Sequence, residues 1–258
     1  MKSKDNIFDV GAFDGLDGLI LAIQNPNMFV HAFEANPDLI KVIIANKNKI
    51  EKYKKIKINN YKVNNYAVSD KNDNLIFNIA KNPTVSSLNE FSKNIDKTWP
   101  GYREAHCTVI KKIEVKAITL EKYCNDQEIR KINYLHIDTQ GSDLDVLRGL
   151  KNKLNIVDQG VLEATTNENT SLYENNHTIN DVKNFLQLNN FEISKIENVD
   201  KNIDKEKNIY FNKKNLNSDC KINKKYNIRY YNRLINNRLV LKDRVLDRLK
   251  DLFFVKPY

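Results

Sequence analysis

The sequence predicts an α/β fold built on a mostly parallel sheet with helices on both faces. Three observations carry this: apolar strands alternate with amphipathic helices from the start, a glycine turn follows the first strand, and an acidic residue ends each of several strands. Ile7-Phe8-Asp9-Val10 reads as a short apolar strand running through Gly11-Ala12-Phe13-Asp14-Gly15 into a helix. Leu16, Leu19, Ile20 and Ile23 then recur at helical spacing, giving that helix one apolar face to lay on a sheet. The loop is a candidate nucleotide cradle: Gly11 lets backbone approach a ligand and Gly15 lets the helix pack close to the strand. Its Gly-x-x-x-Gly spacing departs from the Gly-x-Gly-x-x-Gly of dinucleotide-binding folds.

Met28 to Phe33 is a second apolar strand ending on Glu34, and Asn36-Pro37 is a helix start, with a capping side chain and proline at the first helical position. Leu39, Ile40, Ile43 and Ile44 supply the buried stripe. Val63 to Val68 reads as the third strand, leading to Ser69-Asp70, and Leu75, Phe77 and Ile79 alternate as a further β segment. Pro83 to His106 is a long polar stretch containing Trp99, and a loop of that length in a compact domain reads as a lid over a binding site or as an insertion. Val109 to Ala117 returns to strand, and Thr119 caps a short helix. Tyr134 to Asp138 is the next central strand and Thr139-Gln140-Gly141-Ser142 leads from it into a helix; Ile156 to Leu162 is another parallel strand, ending on Glu163. A helix through Val182 and Leu186, strands at 191–196 and 208–211, and a charged loop over 200–207 close the domain.

The chain has 258 residues, enough for a substantial core without disulfides, and its three cysteines form no Cys-x-x-Cys pair. That pattern disfavours a thiolate zinc site and fits a reducing, cytoplasmic setting. No apolar run reaches transmembrane length and the N-terminus lacks a leader's apolar core. Of the net charge of +9, about +7 falls in residues 215–258, so the sequence divides into a domain over 1–214 and a basic, helical extension. Ile235, Leu239, Leu246, Leu249, Leu252 and Phe253 fall largely on one helical face there, and Tyr226, Arg229, Tyr230, Tyr231 and Arg233 interleave aromatics with cations. Such a segment suits an anionic membrane surface, a nucleic acid or a protein partner, or packs back on its own domain.

Glu34, Asp70 and Asp138 recur at the ends of strands, and an acid about 20 residues past a glycine loop is placed to hold a ribose through both hydroxyls. His136 and Asp138 lie two apart on a strand and so share a face, which makes them candidates for proton transfer; a hydrogen-bonded core histidine is the competing reading. No two acids lie at close spacing on one element, and no metal site is expected.

Six pieces in order then carry a specific resemblance: Asp9-Val10-Gly11-Ala12 with Gly15; Ala32-Phe33-Glu34-Ala35-Asn36-Pro37; Ala67-Val68-Ser69-Asp70; Ser86-Ser87-Leu88; Thr119-Leu120; and Ile137-Asp138-Thr139-Gln140-Gly141-Ser142-Asp143 continuing to Gly149. From Ile7 to about Asn212 the chain resembles the FkbM family of S-adenosylmethionine-dependent methyltransferases, on the seven-stranded, Rossmann-like class I methyltransferase fold. The resemblance implies S-adenosyl-L-methionine as cofactor, with Asp9, Gly11 and Gly15 around its methionine end, Glu34 on its ribose, and Ser69 and Asp70 along its adenine. It implies O-methylation of a sugar, a glycan or another small hydroxylated acceptor. The residues themselves then suggest Asp138 and His136 as catalytic candidates and Gln140, Asp143, Glu163 and Trp99 as candidates to face the acceptor. The family usually has lysine where His136 stands, proline at Ala35 and glutamate at Asp143; the first two departures leave cofactor binding in place, and the last two bear on the choice of acceptor. A nicotinamide oxidoreductase would need the tighter glycine turn. A nucleic-acid methyltransferase gains from the basic extension but loses from Thr-Gln-Gly after Asp138, and a non-catalytic cofactor-binding module is the remaining alternative.

Overall fold

The computed structural model describes residues 5–102, 105–200 and 203–216, and beyond these Ile222, Tyr231, Ile235 and Asn236. Strand–helix alternation builds the sheet: β1 (Asn6–Val10), α1 (Leu16–Gln24), β2 (Phe29–Phe33), α2 (Pro37–Lys54), β3 (Tyr61–Asn64), then, after an excursion, β7 (Tyr134–Ile137), α5 (Asp143–Arg148) and β8 (Gln159–Thr165). The excursion comprises β4 (Ala67–Val68), β5 (Asn74–Ala80), α3 (Ile95–Thr98), β6 (Val109–Ile118) and α4 (Leu120–Asp126). The chain closes with α6 (Ile179–Leu188), β9 (Phe191–Asp200) and β10 (Ile203–Lys213).

The seven-stranded sheet runs β3-β2-β1-β7-β8-β10-β9. Its first five strands are parallel, and β10 is antiparallel to both β8 and β9. Strand order reverses between β1 and β7, and in open α/β sheets the crevice beyond the carboxyl ends at that reversal is where ligands bind. A second sheet, β4-β6-β5, stands beside this end.

Every residue of β1 is buried, as a central strand covered on both faces requires. Phe8 and Val10 join the cluster formed with α4, α5 and α6, whereas Ile7 joins that of α1 and α2, with Leu19, Ile20 and Ile43. Asp9 therefore lies on the α1 side, where alternation turns it to the same face as Ile7. The helix starts form as their sequences dictate: Asn36 accepts from Asp38 N–H at 3.0 Å with Pro37 at the first position, and Thr119 accepts from Lys122 N–H at 3.2 Å. Each such cap contributes about 1 kcal/mol.

Two expected elements differ. The stretch from Val63 to Val68 is not one strand: β3 ends at Asn64, a tight turn takes Tyr66 N–H to Asn64 C=O, and β4 pairs instead with β6. The charged stretch 200–207 is no loop from Ile203 onward, because β10 begins there and its alternating charges face opposite sides of the sheet. In the extension, Tyr231 and Ile235 are buried in the α1/α2 cluster, Lys49 donates to the Ile235 carbonyl at 3.0 Å, and the Lys54 ammonium lies 5.6 Å from the Tyr231 ring. At those two residues the segment packs back on the sheet domain. The expected amphipathic helix from Leu239 to Phe253, and Tyr226, Arg229, Tyr230 and Arg233, lie outside the described residues. No helix among the described residues is long and apolar enough to cross a membrane.

Candidate active site

A cavity of about 630 Å³ opens at the carboxyl ends of β1, β2, β7 and β8. Its first wall is the loop after β1. Gly11 takes a φ of +85°, and a side chain there would sit 1.8 Å from the Asp138 carbonyl, so glycine is required by the close passage of β7 as well as by the cavity it lines. Gly15 takes a φ of +78°, and a Cβ would meet Ile43 at 2.7 Å: its bareness serves packing on α2, not the close strand contact expected. Glu34 organises this loop. Its Oε2 accepts from Phe13 N–H and its Oε1 from Asn36 N–H, both at 2.8 Å, which leaves each oxygen able to accept once more from a ligand in the cavity. Burial pushes Glu34 up to about 7, against the pull of those two bonds.

The second wall is the end of β7. His136 pairs in register with Asp9, and its Nδ1–H donates to Asp9 Oδ1 at 2.8 Å. Burial lowers the His136 pKa, but the Asp9 bond and the charges of Asp9, Asp17 and Asp138 outweigh it and hold it at about 9. The other oxygen of Asp9, Oδ2, is buried without a hydrogen-bond partner, packed where a side chain on Gly18 would intrude to 2.5 Å. Asp138 lines the cavity beside His136, and its Oδ1 accepts from Gln140 Nε2 at 2.5 Å. Burial raises the Asp138 pKa, opposed by the imidazolium of His136. Gln140 holds this position from a left-handed backbone with φ 57°, its Oε1 accepting from the Tyr173 hydroxyl at 3.0 Å.

The third wall comes from β8, β10 and the long segment between β5 and β6. Glu163 and Glu206 both line the cavity. The segment is folded down over the site: Ser87 Oγ donates to the Gln140 carbonyl at 2.6 Å, Asn89 Nδ2 to the Gly141 carbonyl at 2.9 Å, and Trp99 Nε1–H to the Thr170 carbonyl at 2.9 Å. Ile95, Leu172 and Tyr173 bury a small apolar cluster beneath it, with Phe91, Trp99 and Tyr102 packed alongside. Trp99 and Tyr102 reach the cavity.

Of the residues singled out in the sequence, Asp9, Gly11, Glu34, Trp99, His136, Asp138, Gln140 and Glu163 converge on this cavity. Gly15, Ser69, Asp70 and Asp143 are not part of its lining. Ser69 Oγ instead donates to Asp70 at 3.2 Å. Asp143 is 3% exposed with its carboxylate engaged, taking Thr139 N–H and Oγ–H on one oxygen and Glu163 N–H on the other. It ties the turn after β7 to β8, which is a positioning role where acceptor contact was expected. Sequence reading passed over Glu206, hidden in a charged run, and Gly18, whose place inside a helix costs about 1 kcal/mol and so signals a close approach. It also missed Tyr173, which braces Gln140.

Residues 9–193 match the family described as Methyltransferase FkbM domain. Among solved structures, the chain is similar to methyltransferase FkbM from Methylobacillus flagellatus KT, at 12% identity and a TM-score of 0.49 over 81% of this chain and 43% of that one. It is similar to TrmK of M. capricolum in complex with S-adenosyl-homocysteine, at 13% identity and a TM-score of 0.44 over 84% and 66% of the two chains. A SAM dependent methyltransferase from Aquifex aeolicus matches at 11% identity and a TM-score of 0.41 over 80% of each chain. The chain thus spans less than half the length of the Methylobacillus protein. No curated protein matches it.

Proposed function

Since the chain belongs to the FkbM methyltransferase family, we propose that it is an S-adenosylmethionine-dependent O-methyltransferase acting on a hydroxyl of a sugar, glycan or other small acceptor. The observation that carries this reading is Glu34, a buried carboxylate at the end of β2 that locks the glycine loop and still has acceptor capacity toward the cavity. The pocket fits the cofactor on its own terms: a cation finds a wall carrying Asp9, Asp14 and Asp17 at one end, and a ribose finds Glu34. S-adenosylmethionine, when bound, supplies a methyl group already activated on a sulfonium, so the protein's task reduces to alignment and the handling of one proton.

Asp138 is the proposed proton acceptor for the attacking hydroxyl. Gln140 fixes one of its oxygens and leaves the other to the cavity, and the neighbouring imidazolium of His136, itself held by Asp9, favours its ionised form and offsets part of the cost of burial. The segment carrying Trp99 covers the acceptor side and excludes water. A nucleic-acid acceptor is disfavoured because, among the described residues, no lysine or arginine lines the cavity to meet phosphates. On this reading residues 1–214 are the methyltransferase domain of a cytoplasmic enzyme and 215–258 are an appended segment. Calorimetric titration with S-adenosylhomocysteine, followed by labelled methyl transfer onto fractionated glycans, lipids, nucleic acids and proteins, tests the proposal. Binding with transfer into the glycan or small-molecule fraction supports it, and absence of binding overturns it.

A further inference from the structure

The chain carries a net charge of +9, yet among the described residues seven carboxyl side chains and no lysine or arginine line its cavity. Four of the seven, Asp9, Asp14, Asp17 and Glu34, stand at the end assigned above to the cofactor. Asp138, Glu163 and Glu206 line the other end. Sheet geometry brings the last two together. In the antiparallel β8–β10 ladder Glu163 lies opposite Asn208 and Glu206 opposite Thr165, so the two glutamates are diagonal neighbours on one face. Neither accepts a hydrogen bond or an ion pair from a described residue. The adjacent Lys205 is turned away, its ammonium donating to the Thr98 carbonyl and lying 4.6 Å from the Trp99 ring centre. A separate observation marks the same cavity as built for a polar ligand: Ser142, 3% exposed, lines it with its hydroxyl unpartnered.

We propose that the acceptor carries a protonated amine, seated against Glu163 and Glu206 and distinct from the hydroxyl that receives the methyl group. This rests on the methyltransferase reading and narrows its acceptor to amino alcohols, amino sugars among them. A phosphorylated or carboxylated acceptor would add negative charge to three carboxyls that already hinder one another's ionisation, with only the His136 imidazolium, already held by Asp9, to offset it. A plain polyol brings no charge that would let the two glutamates ionise. A protonated amine supplies the missing charge, donates to both glutamates, and packs against the aromatic wall of Trp99 and Tyr102 as ammonium groups do. Having no lone pair, it cannot attack carbon, so it anchors the acceptor while a hydroxyl faces Asp138. In the free protein, burial and then the charges of Asp138, Asp143 and Glu206 push Glu163 up to about 10, which is the behaviour of a site whose counter-ion arrives with the ligand.

Trp99 is the single tryptophan of the chain and reports on this wall by fluorescence. The full-length protein is titrated with two matched pairs, glucosamine against glucose and ethanolamine against ethylene glycol, and with MgCl2, each with and without S-adenosylhomocysteine. The amine of each pair should bind about tenfold more tightly than its neutral partner, and Glu163→Gln and Glu206→Gln should each cut that preference about fivefold or more while shifting S-adenosylhomocysteine affinity less than about twofold. Circular dichroism of both variants establishes that each is folded, and either one alone suffices for the comparison. Equal binding within both pairs overturns the proposal, as does a preference that survives both substitutions. Magnesium binding that the same variants abolish, with no amine preference, overturns it in favour of a divalent-cation site. Failure of S-adenosylhomocysteine to bind sinks the methyltransferase reading instead, because the amine titrations without it stand separately.

Discussion

Asp9 and His136 sit side by side on the two central parallel strands, and the histidine Nδ1–H donates to the aspartate at 2.8 Å. This pair joins the cofactor half of the cavity to its acceptor half. Asp9→Asn keeps the shape and removes the charge that holds the imidazolium. The His136 pKa should then fall from about 9 toward the ordinary histidine range, read from the C2–H resonance across a pH titration. An unchanged titration would show that the contact does not govern the charge of His136.

Glu34 is expected to anchor the cofactor. Its two oxygens already hold Phe13 and Asn36 N–H groups, so Glu34→Ala loses the ribose acceptor and also loosens the glycine loop. Cofactor affinity should drop by about 1–3 kcal/mol. Calorimetry with S-adenosylhomocysteine checks this, and wild-type affinity would remove Glu34 from the site.

Asp138→Asn separates chemistry from binding. The amide can still accept from Gln140 through its oxygen, so folding and S-adenosylhomocysteine affinity should persist. Turnover should fall about tenfold or more, as loss of a proton acceptor entails. Wild-type turnover would move the proton to His136.

What the sequence made legible is local. The Asn36-Pro37 and Thr119 caps, the strand–helix alternation and the strand-end acids each depend on a few adjacent residues, and the structure contains them where expected. What it hid depends on distant partners. Asn64 and Ala67 look continuous, but β3 pairs with β2 while β4 pairs with β6, and nothing within six residues announces the change of sheet. Asp204, Lys205, Glu206 and Lys207 alternate charge with charge, so a two-residue period carries no hydrophobic contrast; only the ladder to β8 reveals that Glu206 faces the cavity. The resemblance placed Asp143 toward the acceptor, and the structure shows its oxygens closing the turn after β7 onto β8, a contact that depends on a partner twenty residues away.

Trp99 should matter for the acceptor and not for the cofactor. Trp99→Ala removes the bond to the Thr170 carbonyl and the stacking surface under Lys205, releasing the cover from the turn after β8 and from β10. The acceptor KM should rise about fivefold or more, with S-adenosylhomocysteine affinity unchanged. Trp99→Phe, which keeps a ring but not the N–H donor, should fall between. An unaltered KM in both variants would show that this segment does not shape the acceptor pocket.

The last prediction concerns stability and pH. Burial and mutual repulsion raise the pKa of Glu34 and Glu206 to about 7, Asp143 to about 6 and Glu163 to about 10. A carboxyl raised in the folded state binds its proton more tightly there than in the unfolded chain. The unfolded state therefore holds fewer protons between the ordinary carboxylate pKa and the raised one, and stability falls as pH rises through that window. The His136 contribution runs the same way, present below the ordinary histidine pKa and lost as pH passes about 9. Ligand-free protein should accordingly melt at progressively lower temperature from pH 5 to pH 10. Glu163→Gln cannot acquire the charge, so its melting temperature should exceed that of the wild type at pH 10 and approach it at pH 5. Thermal unfolding monitored across that range, at one ionic strength, gives the sign directly. Parallel curves for the two proteins would mean that Glu163 ionises freely in the fold, and that its cavity is not the carboxyl-crowded, cation-poor site described above.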